Sequence, residues 1–156
     1  MQTWFQTLVH LKAFVLTVIQ TIGEGIRILQ PSTKKLVLVM CGGSLGAASR
    51  YGISLLTART WGTQFPWGTL TANLLGCFLI GLIFALADRV RLLTPDMRLL
   101  LITGYLGALT TFSSFALETV NAGRAGLLYQ PYVNVLVNTL GGVTLTFFGL
   151  WVGGVK

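Results

Sequence analysis

Four stretches of this chain run for roughly twenty residues with almost no charge, and nothing else limits the fold as strongly. They are residues 36–58, 67–87, 99–120 and 132–155, and they hold only Arg50 and Glu118 as charged groups. About 20 apolar residues are what a helix needs to cross the hydrocarbon of a bilayer. The whole chain has 156 residues, 53% hydrophobic and 10% charged, with a mean hydropathy of +0.75. A soluble domain carries about 25% charged residues. The expectation is an all-α integral membrane protein with four transmembrane helices and no separate soluble domain. The net charge of +7 reflects a shortage of acids, with Asp and Glu totalling 4. In a membrane protein that balance points to loop orientation and anionic lipid headgroups, and not to nucleic acid.

Two regions stand apart: an N-terminal unit over residues 1–33 and a four-helix transmembrane unit over residues 34–156. In the first, Trp4, Leu8, Leu11, Val15, Val18, Ile19 and Ile22 fall on one helical side, and Thr3, Gln6, Thr7, His10, Thr17 and Gln20 favour the other. That pattern predicts an amphipathic helix lying at the membrane interface. It has neither the basic start nor the small-residue cleavage site of a secretory signal. Gly23, Gly25 and Gln30-Pro31-Ser32 then loosen the chain into a linker.

The third span carries the most unusual stretch, Gly104-Tyr105-Leu106-Gly107-Ala108-Leu109-Thr110-Thr111-Phe112-Ser113-Ser114-Phe115. In hydrocarbon every backbone polar group needs a partner, so irregular backbone survives only where protein encloses it. Two explanations stay open from these letters: a helix broken around something polar, or an ordinary helix whose small residues pack on a neighbour. Phe112 and Phe115, three apart, share a helix face. Glu118 continues that face one turn on. Thr94 is a candidate N-cap with Pro95 in the first helical position.

The other spans each hold one or two polar groups that need accounting for. In the first, Gly42 and Gly46 have the small-xxx-small spacing of closely packed helices, and Arg50 either serves a function or finds a headgroup or carbonyl. In the second, Thr69, Asn73, Gly76 and Cys77 line up on one side. Asn73 is costly at mid-depth without a partner, and either bonds another helix or aims an N–H at an anion. In the fourth, Asn134, Asn138 and Gly141 repeat on one face. Cys41 and Cys77 lack metal-ligand spacing, and His10 is the sole histidine. No cluster offers a catalytic set, so an enzyme is not expected.

These residues resemble the CrcB or Fluc family of small bacterial fluoride channels. Gly43-Ser44-Leu45-Gly46-Ala47 with Arg50, Gly68-Thr69-Leu70-Thr71-Ala72-Asn73-Leu74-Leu75-Gly76, and the third-span stretch are similar to the family's signatures in order. The resemblance covers about residues 36–155. It implies an antiparallel, dual-topology homodimer in the bacterial inner membrane, with two narrow pores for passive fluoride export and fluoride resistance. Phe112, Phe115 and Asn73 would line a pore. Thr69, Ser113 and Ser114 would lie on or near a polar track, and Asn134 and Asn138 would occupy the pore region of the fourth span, with Asn138 a pore residue. Glu118 would stand at a pore mouth, and Arg50 would be structural. The third helix would be broken, and a central sodium ion would be held by backbone carbonyls at that break, which match Gly107 and Thr110 here. Ala108, where many members carry a second glycine, is a departure.

Simple physics is compatible with that assignment. Fluoride is tightly hydrated, so a pore must replace its water with strong donors such as Asn N–H and Ser or Thr hydroxyls. A phenyl ring is positive at its edge and can meet an anion there. A narrow pore rejects larger anions by size and unmet dehydration cost. A buried cation offsets the cost of an anion in low dielectric.

The charge distribution strains the homodimer. Lys34, Lys35, Arg89, Arg91, Arg98 and Lys156 lie on the N-terminal side and only Arg59 and Arg124 on the other. Six against two favours a cytoplasmic N-terminus. Either the bias is tolerated or the chain pairs with an oppositely inserted homologue. Two rivals remain: a proton-coupled exporter of organic cations, which needs a deep carboxylate and has only Glu118, and a non-transporting assembly subunit, which leaves Asn73 and the Phe-Ser-Ser-Phe cluster without a role.

Overall fold

The computed structural model describes Thr17, Thr21 and residues 33–90 and 93–154. They belong to two units, residues 1–34 and 35–156, each taken by itself. In the first, Thr17 and Thr21 are helical, and the Thr21 hydroxyl donates to the Thr17 carbonyl at 2.9 Å. The rest of the expected interfacial helix, Arg91 and Lys156 lie outside the described residues, as do the side chains of Asp88 and Arg89.

All regular structure among the described residues is helical. Helix α1 is Thr33–Trp61 and α2 is Trp67–Val90. Helix α3 covers residues 95–109, α4 is Phe112–Arg124 and α5 is Gln130–Val152. Among the described residues, four rods are long and apolar enough to cross a membrane: Thr33–Trp61, Trp67–Ala87, Pro95–Arg124 (α3 and α4 together) and Gln130–Val152. At 1.5 Å per residue the shortest of them, 21 residues, reaches about 30 Å, the thickness of the hydrocarbon core.

Local chemistry explains where these helices start and stop. Thr94 accepts the Met97 N–H at 3.3 Å and Pro95 takes the first turn of α3, as the sequence predicts. Gly62 ends α1 with a φ of 78°, a left-handed conformation open to glycine without a Cβ clash. Two segments widen into π-helix, Leu99–Leu106 in α3 and Val137–Gly141 in α5. Such turns occur often at functional sites.

Helix α1 meets α3 backbone to backbone. A methyl on Gly42 would overlap the Leu100 carbonyl oxygen, and one on Gly46 would overlap that of Tyr105. The small-xxx-small spacing is thus a contact surface. The core between the helices is small and centres on Ala72, Leu106 and Leu109, with Ile53, Leu79, Ile83 and Tyr105 packed around it. Many large apolar side chains, Met40, Leu45, Phe147 and Trp151 among them, face outward. Apolar surface on that scale is covered by hydrocarbon or by another chain.

Candidate functional site

The third rod leaves helical geometry at its middle. Thr110 has φ −84° and ψ 154°, and Thr111 has φ −151° and ψ 119°, so both are extended. The end of one helix and the start of the next are therefore exposed inside an apolar span, and their backbone groups need partners. Side chains from distant parts of the chain supply them. Asn73 of α2 accepts the Thr111 N–H on Oδ1 at 2.8 Å and donates from Nδ2 to the Thr111 carbonyl at 3.2 Å. Its carboxamide acts as a surrogate peptide group. Arg50 of α1 donates from Nε to the Ala108 carbonyl at 3.1 Å, capping the end of α3. Thr111 Oγ1 accepts the Ser114 N–H at 3.2 Å and serves as the N-cap of α4.

Gly107 and Thr110 are two of the carbonyls that lose their helical donors in this arrangement. In an unbroken helix Gly107 O would accept Thr111 N–H, and Thr110 O would accept Ser114 N–H. Asn73 takes the first of those donors and the Thr111 hydroxyl takes the second. Among the described residues no group of three or more His, Cys, Asp or Glu side chains could hold a metal ion. Backbone oxygens are suitable ligands for a hard cation. The Gly107 and Thr110 carbonyls, whose helical donors are held by side chains, are oxygens of that kind.

Beside the extended pair lies an open groove of about 620 Å³ between α2, the α3–α4 rod and α5. Asn73, Gly107, Thr110, Phe112, Phe115 and Asn138 all line it. The two phenyl rings meet edge to face, with centroids 5.5 Å apart and planes at 61°. Phe115 is 9% exposed and Phe112 79% exposed, so one ring forms the wall and the other hangs over the open side. Asn73 donates its remaining Nδ2 hydrogen to Asn138 Oδ1 at 3.0 Å. Both donors of Asn73 are thus engaged by the protein itself, one on Thr111 and one on Asn138.

The remaining candidates sit elsewhere. Thr69 and Glu118 line a separate cavity of about 170 Å³ with Ser54, Thr57 and Trp67. The Thr69 hydroxyl donates to Glu118 Oε1 at 2.6 Å, while Oε2 is buried without a partner. Residues three apart fall about 60° short of a full turn, so Glu118 stands about 120° around α4 from Phe112. That rotation takes it off the aromatic face on which simple spacing put it. Ser113 and Ser114 line neither cavity; both hydroxyls lie 3.2 Å from Thr111 Oγ1, at the start of α4. The sequence singled out neither Thr111, whose backbone Asn73 grips, nor Thr119, which accepts from Asn134 at 2.8 Å. Asn134 and Asn138, four apart on α5, were the visible trace of this network.

Four membrane-crossing rods with a polar break inside one of them define a multi-pass helical membrane protein. Residues 37–150 match the family described as CrcB-like protein, Camphor Resistance (CrcB), and the chain belongs to that family. Curated relatives called fluoride-specific ion channel FluC include one from Leptospira interrogans, 40% identical over 121 residues, covering 76% of this chain and 94% of the relative. Another, from Dehalococcoides mccartyi, is 39% identical and covers 76% of this chain and 92% of the relative. A third, from a Geobacter species, is 41% identical with coverage of 76% and 96%.

Proposed function

We propose that this chain forms a fluoride-selective channel in the bacterial inner membrane, giving passive fluoride export and resistance to fluoride toxicity. The observation that carries this is the groove at the break, where two edge-packed phenyl rings and two carboxamides converge at mid-span. Ring edges offer a positive partial charge without hydration, and meet an ion that has shed its water. Asn73 contributes chiefly by holding Thr111, since its donors are already taken. Thr69 and Glu118, in their separate cavity, would form a mouth away from the groove, and the Ser113 and Ser114 hydroxyls would support Thr111 at the start of α4. Passive flow along such a path needs no catalytic group.

An antiparallel second copy would close the open side of the groove, where Phe112 is most exposed. Two pores would then flank a central sodium ion held by the carbonyls of Gly107 and Thr110. That ion would supply a fixed positive charge in the low-dielectric interior. The six-to-two charge bias also admits a heterodimer with an oppositely inserted homologue. Lipid surrounds the outward apolar side chains.

Efflux from liposomes tests the proposal. Fluoride and chloride release is followed with ion-selective electrodes for the full chain and for Phe112→Ile. Fast fluoride efflux without chloride leak, lost in the variant, is the expected result. A folded protein that passes no fluoride, alone or with an oppositely inserted homologue, would overturn it.

A further inference from the structure

The Asn73–Asn138 bond is one link in a longer chain. Asn138 uses both Nδ2 hydrogens on Asn134, donating to Oδ1 at 2.9 Å and to the backbone carbonyl at 3.1 Å. Asn134 Nδ2 donates to Thr119 Oγ1 at 2.8 Å, and the Thr119 hydroxyl donates to the Phe115 carbonyl at 2.8 Å. Every bond points the same way, from α2 through α5 to α4. Each side chain that accepts also donates to the next. The two ends return to one short segment: Asn73 grips the backbone of Thr111, and Thr119 ends on the carbonyl of Phe115. Between those two points lie Phe112 and Phe115 themselves.

Asn134 is 2% exposed and does not line the groove. Its amide is engaged by Thr119 and Asn138, and burying an amide in an apolar span is costly unless it is bonded in this way. Linked hydrogen bonds polarise one another and favour a single arrangement of the groups they join. We infer that Asn134 and Thr119 are positioning residues for ion passage: they lock Asn138, and through it Asn73, against Thr111, and so fix the entry angle of α4 and the spacing of its two phenyl rings. This rests on the groove being the fluoride path.

Unitary fluoride currents in planar bilayers test it with the purified full chain. Asn134→Leu removes the middle link at similar volume. Thr119→Val removes only the hydroxyl, and Thr119→Ser keeps it. Interrupting the chain is expected to lower the unitary current by about threefold to tenfold. Thr119→Ser should match the wild type, and the double variant should be no worse than Asn134→Leu alone. A role in stability only would lower the number of active channels and leave the unitary current unchanged, and that result would overturn the inference. Should Asn134→Leu not fold, Thr119→Val against Thr119→Ser carries the same expectation. A wild-type protein with no fluoride current would overturn the proposed function, and the inference with it. A normal wild-type current that neither variant alters would overturn the inference alone.

Discussion

Replacing Asn73 by leucine should cost little stability and most of the fluoride flux. Asn73 makes three interhelical hydrogen bonds: to the N–H and carbonyl of Thr111 and to Asn138 Oδ1. If each partner were simply orphaned, the loss would be about 1–3 kcal/mol apiece. The break gives Thr111 an alternative. Without Asn73, its N–H can return to the Gly107 carbonyl, and the Ser114 N–H can return to the Thr110 carbonyl, so the span heals into a continuous helix. Interhelical bonds in membrane proteins average about 0.6 kcal/mol when other partners exist, so three give about 2 kcal/mol. Healing would also return the helical donors of the Gly107 and Thr110 carbonyls and rotate Phe112 and Phe115 relative to α3. The assay pairs reversible unfolding in mixed micelles, followed by tryptophan fluorescence, with fluoride efflux from liposomes. A stability loss near 2 kcal/mol with efflux reduced at least about tenfold is expected. Efflux within twofold of wild type would refute the argument. So would a loss well above 5 kcal/mol, since it would mean the backbone has no helical alternative.

Two further substitutions probe the supports of the break. Gly46→Leu places a side chain where even a methyl would overlap the Tyr105 carbonyl, and should prevent α1 from seating on α3, at a cost above the ~1–3 kcal/mol typical of overpacking; loss of the monodisperse peak in size-exclusion chromatography is the readout, with Gly52→Ala, which meets nothing within 4 Å, eluting normally. Glu118→Gln keeps an acceptor for the Thr69 hydroxyl but puts an NH2 group, with two donors, where Oε2 is buried without a partner, so the micelle unfolding midpoint should fall, equivalent to about 1 kcal/mol.

What the letters revealed and what they hid divide along a physical line. Spans were legible because an apolar run of twenty residues has one use, and the helix start at Thr94-Pro95 because capping is local chemistry. Close packing at Gly42 and Gly46 was legible because spacing of four puts both on one helix side. Spacing failed where bonds cross between helices. Asn73 and Thr111 are 38 residues apart and Asn73 and Asn138 are 65 apart, and no periodicity encodes such a meeting. Arg50 offered a similar choice, and the Ala108 carbonyl decided it at 58 residues' distance. Counting in threes also placed Glu118 with the phenyl rings, although the rotation of a real helix carries it to a different cavity.

The same division explains why the break is stable in an apolar span. A glycine-containing stretch permits extended backbone but does not choose it, and in hydrocarbon the closed helix is the cheaper state. What tips the balance is the set of three side chains that meet the broken ends: Arg50 on α1, Asn73 on α2 and the Thr111 hydroxyl within the break. Each satisfies a group that would otherwise pull the chain back into helix. Two of the three come from helices packed against the rod, so the irregular pair forms only after those helices have assembled. The polar groove is therefore a consequence of tertiary packing, and variants that loosen α1 or α2 should lose the break before they lose their helices.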